Sequence, residues 1–153
     1  MRFLELKVPP LVVTLLAAGS GWYAARMAPT SGFVLPYRNV LAFSFFVAGI
    51  GVAASGAAGF RRARTTLNPR SPEKSSALVV SGIYRWTRNP MYLGMLLMLL
   101  CWATYLANWV SFAFLPGFVI YLDYFQITPE ERALASMFGQ EFAAYRSKVR
   151  RWI

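Results

Sequence analysis

From Asn89 to Leu122 the chain carries no Asp, Glu, Lys or Arg. Wound as one helix, that stretch would rise about 50 Å at about 1.5 Å per residue, far beyond an apolar bilayer core of about 30 Å. It must turn back on itself, and Asn108, between Leu106-Ala107 and Trp109, is the expected tip of a tight helical hairpin with spans near 91–105 and 109–124. Pro116-Gly117 is expected to kink the returning helix, its freed backbone groups satisfied by neighbours. A hairpin that enters near Asn89 and leaves near Tyr124 delivers distant segments to one side of a membrane.

Two further stretches have the length of a bilayer crossing. Residues 8–25 lie uncharged between Lys7 and Arg26, and residues 39–60 are likewise free of charge. Ala17-Ala18-Gly19 imitates a secretory signal, but the apolar run is longer than a typical signal core, and the segment is read as an anchor. Gly51, Ser55 and Gly59 recur every four residues; small residues let helices approach closely in lipid, so this face is expected to pack on a neighbouring span rather than on a second copy. Monomer and homodimer both remain open. Composition agrees with a single integral membrane domain over residues 1–153: 57% of residues are hydrophobic and 14% charged, where soluble domains carry about 25% charged.

The sixteen Lys and Arg fall into four groups, two in residues 1–7, two in 26–38, seven in 61–88 and five in 123–153. Four crossings put fourteen of them on one side, and the positive-inside rule makes that side cytoplasmic, with both termini and loop 61–90. A net charge of +10 with bases crowded beside apolar segments suits topology and anionic headgroups, not nucleic acid. Asn68-Pro69 and Ser71-Pro72 predict irregular chain in the loop. Leu134, Phe138, Phe142, Tyr145 and Val149 form an amphipathic stripe, predicting a C-terminal helix over 129–150 that ends in Arg146, Lys148, Arg150 and Arg151 at the interface. The expected fold is thus all-α: four transmembrane helices, the last two a tight hairpin, plus a cytoplasmic amphipathic helix. With no His and one Cys, Cys101, the chain lacks most of the ligands that transition-metal chemistry uses, an intrachain disulfide is excluded, and Cys101 is read as packing.

Polar and aromatic residues gather where the long apolar run begins and ends. Thr128-Pro129-Glu130-Glu131 fits a capping box, with Thr128 as cap, Pro129 in the first turn and Glu131 reaching back, which leaves Glu130 unexplained. Arg85 and Arg88 suit topology signals, Asn89-Pro90 a helix start, and Tyr84, Trp86 and Tyr92 an interfacial belt. No one of these structural accounts covers the whole cluster. If the hairpin brings Arg85, Arg88, Asn89 and Tyr92 near Glu130 and Glu131, the result is a polar mouth over an apolar cavity.

Gly82-Ile83-Tyr84-Arg85, Arg88-Asn89-Pro90-Met91-Tyr92-Leu93-Gly94, Glu130-Glu131 with Leu134, and Phe138-Gly139 with Glu141-Phe142 and Tyr145 resemble the isoprenylcysteine carboxyl methyltransferase and phospholipid methyltransferase superfamily. Thr65-Thr66-Leu67-Asn68-Pro69 and Leu78-Val79-Val80-Ser81 are similar to its small bacterial members, so the resemblance covers about residues 65–149. It implies an S-adenosylmethionine-dependent enzyme of a prokaryotic plasma membrane, with the cofactor at the cytoplasmic ends of the last spans. On that implication Tyr84, Arg88, Asn89, Pro90, Tyr92, Gly94, Glu130 and Glu131 hold the cofactor, and Arg85 and Tyr145 orient a lipophilic or small membrane-accessible acceptor. Carboxylates suit ribose hydroxyls or an ammonium, arginine suits a carboxylate, tyrosine suits adenine or a sulfonium, and Gly94 permits close approach. The family often has His where this chain has Asn89, which hydrogen-bonds but does not titrate near neutrality. A nicotinamide-dependent membrane reductase of related architecture and a non-catalytic membrane protein are the alternatives.

Overall fold

The computed structural model describes residues 5–63 and 77–153, and these are helical throughout apart from turns and one isolated bridge between Gly32 and Asn108. The expectations for Thr65–Pro69 and for the prolines of the loop lie outside the described residues. Helix α1 is Pro10–Met27, α2 Arg38–Arg62 and α3 Pro90–Leu106. Each of α1 and α3 opens on a proline, whose missing N–H costs nothing in a first turn. Val8 is excluded from α1 because a residue before proline avoids the helical region.

The chain reverses at the expected place. Ala107 ends α3 in the left-handed region (φ 47°), and Asn108 caps the next helix by accepting from the Val110 N–H at 3.0 Å. The Asn108 amide also donates to the Ala28 carbonyl at 2.9 Å, tying the tip to the end of α1. Helices α4 (Trp109–Phe112) and α5 (Phe114–Leu122) follow, and the ladder is interrupted at Ala113, just before Pro116, with the backbone still helical.

Beyond this point the expected boundary is absent. A π-helical segment, Asp123–Ile127, runs directly into α6, Thr128–Lys148, so the chain stays helical past the point where a span and a separate tail helix were expected to part, and the break falls instead inside α6 at Gly139 (φ 49°, ψ −117°). The capping-box reading fails for a local reason: Thr128 has helical angles, and its hydroxyl donates to the Asp123 carbonyl at 2.6 Å instead of capping. Pro129 cannot donate to the carbonyl of Phe125, and the Leu6 N–H takes that acceptor at 2.9 Å. The N-terminal segment is further held by Gln126 Nε2, which donates to the Val8 carbonyl at 2.6 Å, and by an Arg132–Glu5 ion pair.

Packing of α3 on α2 also uses another seam. A Cβ at Gly94 would meet Ala53 Cβ and the Gly49 carbonyl at 2.7 Å, and one at Gly56 would meet Pro90 at 2.9 Å. The close face is therefore Gly49, Ala53 and Gly56, while Gly51 touches nothing and Ser55 is exposed. Steps of four and three stay on one face of a 3.6-residue helix, whereas two steps of four drift by about 80°. That drift carries Gly59 onto Tyr84 and Val79 instead.

Among the described residues two helical stretches are long and apolar enough to cross a membrane, α2 and the run from Trp109 to Lys148 that is kinked at Gly139; α3 is apolar but shorter. Only 17% of the most apolar stretch of α2 is buried within the protein, so its Phe43, Phe46 and Val47 face outward, as lipid contact requires. From Trp109 to Phe138 the helix is about 45 Å long, and its uncharged part ends at Leu122, with Glu130, Glu131 and Arg132 following in the first turns of α6. A core of Tyr92, Leu99, Phe118, Leu122 and Ile127 joins α3 to this helix just below the polar cluster.

Candidate active site

The start of α3 and the first turn of α6 meet where the long helix leaves its apolar stretch. Tyr92 projects from the first turn of α3 and donates to Glu130 Oε1 at 2.5 Å. One turn back, Arg88 Nη2 pairs with Glu131 Oε1 at 2.7 Å, and Arg151 grips the same carboxylate through Nη2 to Oε2 at 2.7 Å and Nε to Oε1 at 3.2 Å. Adjacent glutamates thus have separate partners, because consecutive helical side chains point about 100° apart.

Above them the chain leaves α6 in an extended conformation at Val149 and crosses the beginning of α3. Arg88 Nη1 donates to the carbonyls of Arg146 and Val149, the last-turn acceptors that a helix leaves open. Asn89 and Pro90 stand at the N-cap and first helical positions of α3 as expected, but the Asn89 side chain makes no cap and instead donates to the Arg151 carbonyl at 2.9 Å. The carboxylate of Asp123, on the π-helical segment, receives Arg151 Nη1 at 3.3 Å and Trp152 Nε1 at 3.2 Å.

These elements enclose a cavity of about 290 Å³, near the lower end of the range for small-molecule sites. Of the residues expected at the site, Tyr84, Arg88, Asn89, Pro90, Tyr92, Glu130, Glu131 and Tyr145 line it. Gly94 does not: its open face is filled by α2, so its lack of a Cβ serves helix packing and not ligand approach. Arg85 is also apart, exposed in a shallow outer groove with Glu141, Lys148 and one side of Tyr145. Arg151, Asp123, Trp152 and Thr87 were not anticipated. Asp123 held the one legible signal, a lone acid at the end of an apolar run that has to find a cation.

Charge in the cavity is uneven. Glu131 is balanced by two guanidinium groups, while Glu130 has the Tyr92 hydroxyl and, among the described residues, no cationic partner. Burial pushes the Glu130 carboxyl up to about 8, against the lowering effect of the Tyr92 hydrogen bond, and the neighbouring Glu131 adds to the rise. Burial likewise raises Tyr84, and raises Tyr145 to about 12, so both hydroxyls keep their protons at neutral pH. The Tyr145 hydroxyl donates to the Tyr84 carbonyl at 2.7 Å, closing the wall between the cavity and the outer groove. Arg88 Nε is buried and has no acceptor among the described residues. The cavity wall therefore carries an arginine whose Nε–H is buried without an acceptor and, beside it, an uncompensated acid, set in an apolar surround of Pro9, Leu11, Phe60, Met91 and Met95.

Comparison with known proteins bears on this site. An uncharacterized protein of Haemophilus influenzae is 43% identical over 63 residues, 41% of this chain and all of that protein. The Protein-S-isoprenylcysteine O-methyltransferase of Schizosaccharomyces pombe is 39% identical over 77 residues, half of this chain and 32% of the yeast protein. The chain thus spans about a third of that relative. No solved structure matches. The family model for phospholipid methyltransferase matches residues 37–141, which include α2, α3, both glutamates and most of the cavity wall. By that match the chain belongs to the phospholipid methyltransferase family.

Proposed function

We propose that this protein is an S-adenosylmethionine-dependent methyltransferase that crosses the membrane four times, through α1, α2, α3 and the apolar part of the Trp109–Lys148 helix. Both termini and the cavity then lie at the cytoplasmic face of a prokaryotic plasma membrane, on the side that carries fourteen of the sixteen Lys and Arg. The observation that carries the assignment is the charge pattern of the cavity wall: among the described residues Glu130 has no cationic partner and Arg88 Nε no acceptor, so a zwitterion with an additional positive centre fits both. S-adenosylmethionine has that pattern, and its sulfonium supplies an activated methyl group, so the chain needs no covalent nucleophile.

Each side chain has a matching task. Arg88 Nε donates to the donor's carboxylate, Glu130 accepts from its ammonium or balances the sulfonium, and the faces of Tyr84 and Tyr92 suit the adenine or the cation. Asn89 and Glu131 shape the site by holding the C-terminal segment and Arg88. Pro90 sets the start of α3, and Tyr145 fixes the wall through Tyr84. The apolar surround excludes water and admits a lipophilic acceptor, with a carboxylate, amine or thiol as the methylated group. Thermal unfolding in detergent tests the assignment. S-adenosylhomocysteine should raise the midpoint and reduced nicotinamide dinucleotide should not; stabilisation by the nicotinamide alone would overturn it.

A further inference from the structure

Past the last residue matched by the family model lies a feature that neither the resemblance nor the comparisons assign. The chain leaves α6 and runs as Val149 to Trp152 back over the first turn of α3. Its attachments come from both sides of the cavity. The Arg88 N–H donates to the Arg150 carbonyl at 3.0 Å, and the Thr87 hydroxyl and Asn89 amide both donate to the Arg151 carbonyl. The Arg151 guanidinium reaches down to Glu131 and Asp123, and Trp152 packs on the core cluster while its indole N–H donates to Asp123. Within this segment, Arg151 is thus the residue whose backbone binds the α3 side and whose side chain binds the helix opposite.

We infer that Arg151 is a positioning residue for the methyl-donor site, acting as the pin of a C-terminal clasp that fixes Arg88 and Glu131 in the cavity wall. Arg88 spends Nη1 on Arg146 and Val149 and Nη2 on Glu131, which fixes the guanidinium in the cavity wall, and Arg151 holds both the Glu131 carboxylate and the chain that carries the Val149 carbonyl. Two charge-assisted contacts from Arg151 hold the Glu131 carboxylate, so losing them frees it to rotate about its own bonds. Arg151 is not itself among the residues lining the cavity, so its effect on the donor is indirect. This inference rests on the proposed donor site.

The test compares Arg151→Gln with Arg150→Gln, whose side chain is exposed, using S-adenosylhomocysteine affinity and steady-state kinetics on the full chain in detergent. Arg151→Gln should weaken S-adenosylhomocysteine by about tenfold, the scale of one misaligned charge-assisted hydrogen bond, and raise the donor KM with the acceptor KM unchanged. Arg150→Gln should bind as the parent does. Equal affinity of Arg151→Gln, corrected for folded fraction, would overturn the clasp while leaving the donor site standing, whereas failure of the unmutated protein to bind S-adenosylhomocysteine would overturn the donor site itself. If Arg151→Gln does not fold, Arg151→Lys decides. One ammonium cannot reproduce both contacts to Glu131 together with Asp123, so weaker donor binding supports the clasp and parental binding refutes it.

Discussion

Donor binding should expel a proton, and Glu130 should be its source. With its carboxyl pushed up to about 8 by burial, Glu130 is about nine-tenths protonated at pH 7 in the empty site. A ligand that brings a cation against it favours the carboxylate, and each unit by which the carboxyl falls corresponds to about 1.4 kcal/mol of interaction. Ionising the group at pH 7 costs about one such unit, so affinity should rise about tenfold per pH unit between about pH 6 and 8 and then level off. Calorimetry of S-adenosylmethionine binding at pH 7 without acceptor, in two buffers of different ionisation enthalpy, reads the proton directly. The ligand's own amine titrates identically against any variant, so the informative quantity is the difference between the parent and Glu130→Gln. That difference should approach about 0.9 proton released per ligand bound. Equal proton balance in the two proteins, with both binding, would refute the assignment of Glu130 as the acid facing the donor's charge.

The same group makes the ligand-free protein less stable as pH rises from its ordinary value of 4.5 to about 8, because over that window the folded state holds a proton that the unfolded state has shed; thermal midpoints should fall across it and flatten in Glu130→Gln. Glu131→Gln leaves Arg88 and Arg151 without their shared counter-charge and should cost about 3 kcal/mol, the lower end for breaking a buried pair, read as a drop in unfolding midpoint that an unchanged midpoint would contradict. Gly94→Ala pushes a methyl group to 2.7 Å from Ala53 and Gly49 and should cost about 1–3 kcal/mol while S-adenosylhomocysteine affinity per folded molecule stays the same; a selective loss of affinity would restore Gly94 to the site. Asn89→Asp sets an acceptor against the Arg151 carbonyl in place of a donor, so carboxypeptidase should trim the C-terminus about tenfold faster than in the parent.

The hairpin was legible because charge and length leave no other solution: an uncharged run too long to cross once has to return, and Asn108, near its middle, can cap the new helix. From that turn follows the meeting of Tyr92 with Glu130 and of Arg88 with Glu131, which sequence spacing placed on one side without giving partners. Thr128 misled because a cap and a helix interior use the same residue types, and the choice was made by a distant group, the Leu6 N–H, that takes the carbonyl Pro129 cannot serve. Gly94 misled because a missing Cβ looks the same whether a ligand or another helix fills the space. Arg151 was hidden among basic residues that all suit a membrane interface; only the path of the chain after Val149 separates it from Arg150.

Methyl transfer itself tests the central claim most directly. Purified protein is incubated with S-adenosylmethionine carrying a labelled methyl group and with total membrane lipid, and the lipid fraction is resolved for label. A labelled lipophilic product is expected with the parent, and a strong reduction with Glu130→Gln at equal folded protein. A lipid fraction without label, from protein that reduced nicotinamide stabilises and S-adenosylhomocysteine does not, would contradict it.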